Sequence, residues 1–319
     1  QPQLEADLRA FFARRNRPMP ERNVKQATLI PSAQALPNPI GTAPGWFVER
    51  DGRMLVTMPG VPVEMYRMWS EQVVPRLLRK QNAVIFTRIF KVLGIGESHV
   101  EEMIQSLLAS TNPTIATYAK NDGIHVRTTA KAESIEAAKA LLAPMEAEVR
   151  RILGNSIYGI DDQTVEGVVG DALRAAGLTL ATMEGFTGGL ISSAFVGAPG
   201  SEGFYRGGLA PNGAAQLEAW GVDPNVLASA GLVSAATAAA MATAARRHFG
   251  ADIGLALCGV PGPEPIEGQR PGTIHIAIDD RGKIVTDSGV GFGNTPAQIK
   301  GRASIAAVDL LRKHLGAGG

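Results

Sequence analysis

The chain has 319 residues, room for about two domains at ~150 residues each, with three small ones also open. Hydrophobic residues make up 45% and charged residues 19%, which excludes global disorder. The 31 Lys and Arg against 30 Asp and Glu leave a net charge of +1, which argues against a binder that tracks nucleic-acid phosphates, and the one cysteine, Cys258, excludes a disulfide framework or a Cys-rich zinc module. The blandest stretch, 233–245, is alanine-rich and closed by Arg246 and Arg247; it is too short and polar to cross a bilayer. No signal peptide is visible, and the reading is a soluble, cytoplasmic protein.

Residues 1–83 are rich in loops and prolines. A polar helix over 4–14 precedes a run of turn formers at 37–45. A short strand over 54–58 ends at Pro59-Gly60. Pro62 stands where a first-turn helical proline belongs, and Met65, Met68, Trp69 and Val73 follow at helical spacing. One strand and two helices make half of an α/β domain, so with Gln1 at the start the expectation is a truncated first domain.

Residues 84–152 read as strand (84–93), helix (97–108), strand (114–118), strand (124–129) and helix (134–150). Asn121-Asp122-Gly123 is a hairpin signal between the paired strands. Eight Lys/Arg and eight Asp/Glu between Arg88 and Arg151 leave this module neutral.

From 153 onward helices and strands alternate. A helix over 164–176 carries Val165, Val168, Val169 and Leu173 on one face and stops at Gly177. Strands are expected at 178–183, 253–258 and 273–278, and helices at 234–248 and from 294 onward, the last with a stripe of Ile305, Val308, Leu311 and Leu315. Such alternation favours a helix-flanked α/β sandwich.

Two loops are placed for chemistry. Glu184-Gly185-Phe186-Thr187-Gly188-Gly189 follows a strand and opens a helix, where free N–H groups form a site for a phosphate or carboxylate. The same glycines equally serve a tight strand-to-helix turn. Cys258-Gly259-Val260-Pro261-Gly262-Pro263 also follows a strand, and Pro271-Gly272-Thr273 leads into the next, so both loops share one rim. Cys258 reads as a buried small hydrophobe rather than a nucleophile, since neither His nor acid stands beside it in sequence. The five histidines show no metal-ligand spacing, and His99 among Glu97, Glu101 and Glu102 reads as a solvated acidic helix face.

Three separated motifs resemble one family. Asn38-Pro39-Ile40-Gly41-Thr42-Ala43-Pro44-Gly45, with Met58-Pro59-Gly60-Val61-Pro62-Val63-Glu64-Met65, is similar to the second half of the molybdopterin-binding-like domain of CinA proteins. Glu184 to Gly189 resembles the Glu-Ser-Cys-Thr-Gly-Gly motif of the CinA C-terminal domain. Gly231-Leu232-Val233-Ser234, Gly259 to Pro263, and Gly272-Thr273 continue the likeness. The ordered set spans nearly the whole chain, and the middle module resembles the family's KH-type domain. The expected architecture is α/β multidomain: a partial molybdopterin-binding-like α/β domain (1–83), a small KH-like α+β module (84–152) and a C-terminal helix-flanked α/β sandwich (153–319).

The resemblance implies a C-terminal nicotinamide-nucleotide amidohydrolase, which deamidates nicotinamide mononucleotide (NMN), and an N-terminal metal-dependent ADP-ribose pyrophosphatase. It implies a pyridine nucleotide or ADP-ribose-like ligand at Glu184, Thr187, Gly188, Gly189, Gly259, Gly262, Gly272 and Thr273. In the first domain it implies a nucleotide site at Asn38, Gly41, Thr42, Pro59, Gly60, Pro62 and Glu64.

The departures bear on chemistry. The family's nucleophilic Ser position holds Gly185, and aligning back from Gly221-Val222 puts its supporting Tyr and Lys positions at Pro211 and Gln216. Glycine cannot attack a carboxamide, and a nucleophile and its activators act as a unit. The expected C-terminal domain is therefore a degenerate nucleotide-binding pseudoenzyme. The family's Gly-Asp-Glu and Gly-Gly-Leu-Gly-Pro-Thr segments have no counterpart, so no cofactor is expected in this chain, a divalent metal belonging to an intact N-terminal domain. No Gly-x-x-Gly clamp lies between the helices of the middle module, which argues against nucleic-acid binding there and leaves a spacer or dimer-forming role, the chain being expected to form a homo-oligomer. Two alternatives stay open: an active hydrolase, as ADP-ribose pyrophosphatase of a longer chain or NMN deamidase by a different nucleophile, and a competence or recombination scaffold.

Overall fold

Pro2 and Pro62 each open a helix, where a missing N–H costs nothing because first-turn donors have no partner within the helix. The computed structural model describes residues 1–79, 83–290 and 293–318. Its contacts divide the chain into two units, Gln1–Val84 and Ile85–Gly319.

In the first unit α1 (Pro2–Ala13) precedes three antiparallel strands, β1 (Ala33–Leu36), β2 (Gly45–Arg50) and β3 (Arg53–Thr57), in the order β1-β2-β3. Then come α2 (Pro62–Met68), a π turn over Trp69–Val73, and α3 (Val74–Leu78). The sequence suggests one strand here, and the structure corrects that to three. Strands β1 and β2 flank the Pro/Gly run, which hides their short alternation. Asp51-Gly52 turns β2 into β3 with both φ values positive (52° and 73°), the geometry a two-residue hairpin requires. Leu36, Phe47, Met68 and Val73 form the small core.

The second unit, from the second residue of β4 (Val84–Val92), continues with α4 (Glu97–Met103), β5 (Thr114–Lys120), β6 (Gly123–Ala132), α5 (Ile135–Leu153) and β7 (Ile157–Ile160). The sheet order is β5-β6-β4-β7. The first helix is shorter than expected, ending at Met103 before a 3-10 turn at Gln105–Leu107. Strand β7, which the sequence reading leaves among the C-terminal residues, pairs antiparallel with β4. At four residues it is too short to show a period. Phe90, Val92, Val100, Val126 and Val149 are fully buried between this sheet and its helices.

After α6 (Val165–Ala176) the chain alternates through β8 (Leu180–Glu184), α7 (Leu190–Gly197), β9 (Tyr205–Leu209), α8 (Ala214–Ala219), α9 (Pro224–Ala230), α10 (Ala235–Phe249), β10 (Ile253–Gly259), β11 (Ile274–Asp280), β12 (Lys283–Gly289) and α11 (Pro296–His314). Thr164, Ser234 and Thr295 cap their helices with side-chain oxygens, as their positions before each apolar pattern suggest. The sheet runs β12-β11-β10-β8-β9, with β8 parallel to both β10 and β9 and the other two strands antiparallel.

Helices cover both faces. Large aliphatics such as Leu180, Leu255 and Ile276 meet Leu173, Phe195 and Leu311 of α6, α7 and α11 on one side. On the other, Ala181, Ala256 and Ala277 meet Ala238, Ala242 and Ala245 of α10. This small-on-small contact explains the alanine-rich stretch: the helix lies so close that a Cβ at Gly254 would overlap the Ala242 carbonyl oxygen. No helix among the described residues is long and apolar enough to cross a membrane.

Polar ties join the KH-like module to this domain, two of them through buried cations. The fully buried Arg312 donates to the carbonyls of Asn155 and Ala317, both at 2.7 Å, and to Asp309 at 2.8 Å, while Lys91 Nζ donates to Gln163 O at 3.0 Å.

Candidate functional site

Three strands that run parallel, β9, β8 and β10, end on the same side of the sheet, and the loops that follow them enclose a cavity of about 410 Å³. Ligands of open α/β sheets bind at these carboxyl ends, where loops diverge and leave a crevice. The first loop contributes Gly185, Phe186 and Gly188, the second Ala210 to Gly213, and the third Gly259 and Pro261. Leu232 and Val233, just ahead of α10, and Lys300 of α11 complete much of the wall.

Glu184 organises the first loop. Its carboxylate is 1% exposed and accepts from the Ile191 and Ser192 N–H groups (3.0 and 2.8 Å) and the Thr187 and Ser192 hydroxyls (2.5 and 2.7 Å). Those N–H groups open α7, and the negative charge also suits that end of its dipole. Gly188 and Gly189 take φ of 70° and 96°, which only glycine adopts readily. The sequence expectation of an anion site on these first helical N–H groups is thereby corrected at Ile191 and Ser192: the anion they hold is the chain's own. The network runs on from Ser192 Oγ to Thr182 Oγ1 (3.1 Å) and from there to the Tyr205 hydroxyl (2.7 Å), whose pKa burial raises.

The structure divides the residues singled out from sequence. Gly185 and Pro211 share the cavity wall, but Gln216 is exposed on α8 and does not line it. Gly188 and Gly259 line it and Glu184 forms part of its floor, while the buried Thr187 serves Glu184. Gly189, Gly262, Gly272 and Thr273 lie off the wall. The last two close a loop instead, with Gly272 N donating to Val260 O and Val260 N to Thr273 O, both at 2.9 Å.

Cys258 is on the wall but 3% exposed, its thiol donating to Ser234 O at 3.3 Å, and burial pushes its pKa up to about 12. The ladder sets His275 opposite it, a neighbour that sequence distance hides. Burial lowers the His275 pKa, and its Nδ1 is paired with Ser288 Oγ at 2.7 Å, so the imidazole is not poised as a cation that would favour a thiolate. Because the folded thiol holds its proton above the ordinary value of 9.0, the unfolded chain loses protons first as pH rises. The thiol's contribution is complete below pH ~9 and is lost progressively toward pH ~12. Urea midpoints measured across that window should fall with pH, and more shallowly in Cys258→Ala.

In the first unit Asn38 is occupied by its own loop. Its amide donates to Ala43 O (3.0 Å) and Glu64 Oε2 (2.7 Å), and its oxygen accepts from the Ile40 and Gly41 N–H groups (3.3 and 2.8 Å). A Cβ at Gly41 would overlap the Glu64 carboxylate. Asn38, Gly41 and Thr42 line a 230 Å³ cavity against α1, whereas Pro59, Gly60, Pro62 and Glu64 do not. Among the described residues no group of three or more His, Cys, Asp or Glu is arranged to hold a metal ion. The Asn38–Glu64 pair does not supply such a donor set.

Sequence reasoning missed Lys300, the only basic residue on the described cavity wall, and Glu267, which accepts from the Leu232 and Val233 N–H groups at 2.8 and 3.1 Å. Nothing local distinguishes Lys300 from Arg302 two residues on. Only the packing of α11 does.

Comparison with known proteins agrees with this architecture. Residues 87–159 match the model of the damage-inducible protein CinA KH domain, and residues 162–315 that of the CinA C-terminal domain. A CinA-like protein of Thermomicrobium roseum is 41% identical over 312 residues, covering 98% of this chain and 73% of the relative. A CinA-like protein of Deinococcus radiodurans is 40% identical, covering 100% of this chain and 76% of the relative. Among solved structures, a CinA superfamily protein of Klebsiella pneumoniae is 30% identical, with a TM-score of 0.46, over 48% of this chain and 96% of its own. With two consecutive domain matches and such identity along nearly its full length, the chain belongs to the CinA family of competence/damage-inducible proteins.

Proposed function

We propose that the C-terminal α/β domain is a degenerate nucleotide-binding domain, which holds a pyridine nucleotide of the NMN type and does not hydrolyse it. The observation that carries this reading is the shared wall on which Gly185 and Pro211 stand. The positions where the family resemblance implies a nucleophile and its tyrosine face one cavity, and neither offers a hydroxyl. The position of the implied lysine is Gln216, an exposed residue of α8 outside the cavity wall. What remains is a mostly apolar chamber with one cation, suited to an aromatic base and an anionic tail.

The alternative of a different nucleophile finds no support at Cys258, whose thiol stays protonated at neutral pH, nor at Thr187, whose hydroxyl is committed to Glu184. The reading is tested by incubating the chain with NMN, with and without a divalent metal, and following NMN, the acid product and ammonia by mass spectrometry beside thermal shifts. NMN at a hundred times its Kd should stabilise the fold by about 2.7 kcal/mol without turnover. Gly185→Ser alone should remain inactive, because Pro211 and Gln216 supply neither the hydroxyl nor the amine that would activate the new nucleophile. Ammonia release by the unaltered chain would overturn the reading.

A further inference from the structure

We propose that the loop over 261–271 is a latched strap that gates the cavity, with the Glu267 carboxylate as the latch. That it gates a nucleotide rests on the binding reading above; that it gates the cavity does not.

The loop leaves β10 and returns to β11, pinched at its base by the Val260–Thr273 and Gly272–Val260 backbone bonds. Its tip is a tight turn in which Ile266 and Gln269 exchange both backbone hydrogen bonds (3.1 and 2.9 Å). Between base and tip no residue belongs to any of the hydrophobic cores. Ile266 lines the cavity yet stays 36% exposed.

Polar contacts fasten the tip to the opposite wall. Glu267 accepts from Leu232 N and Val233 N, and Gln269 Nε2 donates to Val233 O at 2.5 Å. Leu232 and Val233 are themselves cavity-lining residues. Gly231 turns with φ of 76°, and a Cβ there would overlap the Glu267 carboxylate, so the backbone is shaped to receive it. A segment fastened by three side-chain hydrogen bonds, one exposed and two half-buried, and contributing no residue to the hydrophobic cores, opens locally without unfolding the sheet beneath.

Cys258 reports on this opening, being the chain's single cysteine, 3% exposed, and on the wall of the same cavity. The experiment measures the rate at which a maleimide modifies Cys258 in the whole chain, for the unaltered protein and for Glu267→Ala, Gln269→Ala and Glu264→Ala. The last removes an exposed carboxylate of the same loop and serves as control. Rates are compared per thiolate, from their dependence on pH, because the Glu267 charge also holds the Cys258 pKa up. On that basis Glu267→Ala should accelerate modification by about tenfold, as expected when hydrogen bonds to a charged group are lost. Gln269→Ala should accelerate it less and Glu264→Ala not at all, with urea midpoints unchanged in all three.

An unchanged rate in Glu267→Ala would overturn the latch. So would acceleration no greater than a parallel loss of global stability accounts for. A saturating concentration of NMN is then added to each protein. Acceleration by Glu267→Ala with no protection by NMN leaves the latch standing and removes the nucleotide reading; protection by NMN with no acceleration does the reverse.

Discussion

Glu184→Ala should destabilise the C-terminal domain by about 3–5 kcal/mol, because each buried donor left without its acceptor costs about 1–3 kcal/mol. The carboxylate accepts four hydrogen bonds at 1% exposure, so its loss orphans the Ile191 and Ser192 N–H groups and the Thr187 hydroxyl, while the Ser192 hydroxyl keeps Thr182. Glu184→Gln keeps the shape, but its amide must present N–H toward donors, and an intermediate loss of about 1–3 kcal/mol follows. Urea midpoints at neutral pH measure both. Hydrogen exchange at Ile191 and Ser192 shows whether the damage starts at the beginning of α7. A loss below about 1 kcal/mol for Glu184→Ala would mean that the turn stands without its carboxylate.

That expectation also marks where sequence reading stops. The glycine-rich turn after a strand was legible as a ligand site because it exposes helix N–H groups, and the same letters encode a turn whose own glutamate fills them. Distinguishing the two requires knowing that Glu184 is buried, which depends on the tertiary packing of α7. Strand β10 was legible, since its seven residues are buried on both sides and read as a continuous apolar run. Edge strand β12, mostly exposed, carries no such signal and was missed, as was β9, Tyr205–Leu209, with its two glycines. Gly208 there is dictated by the hydroxyls of Ser192, Thr182 and Tyr205, which crowd the space a Cβ would fill. The pairing of Gly185 with Pro211 came from motif order and meets on one wall, whereas Gln216, placed by the same backward alignment, does not. Glu267 lies 35 residues from Leu232, and no local pattern announces that contact.

Lys300→Glu should weaken NMN binding by about a hundredfold or more, since it removes a charge-assisted contact to the phosphate and sets a carboxylate in its place. Lys300 extends from the second turn of α11, half-buried on the cavity wall, and makes no ion pair among the described residues. A lysine without a protein partner beside an apolar chamber is free to take an anionic tail while the chamber takes the base. Its replacement breaks no pair, so urea midpoints should hold, which separates lost binding from lost folding. Lys300→Ala should cost about tenfold, and raising the salt should then matter less, because the screened charge is gone. Nicotinamide riboside, which lacks the phosphate, should bind the unaltered chain and Lys300→Ala with equal affinity. Calorimetric titration of both ligands measures all of these. If Lys300→Glu binds NMN as the unaltered chain does, the phosphate does not lie at α11, and a cavity with no other cation on its described wall is left to hold a ligand without that charge.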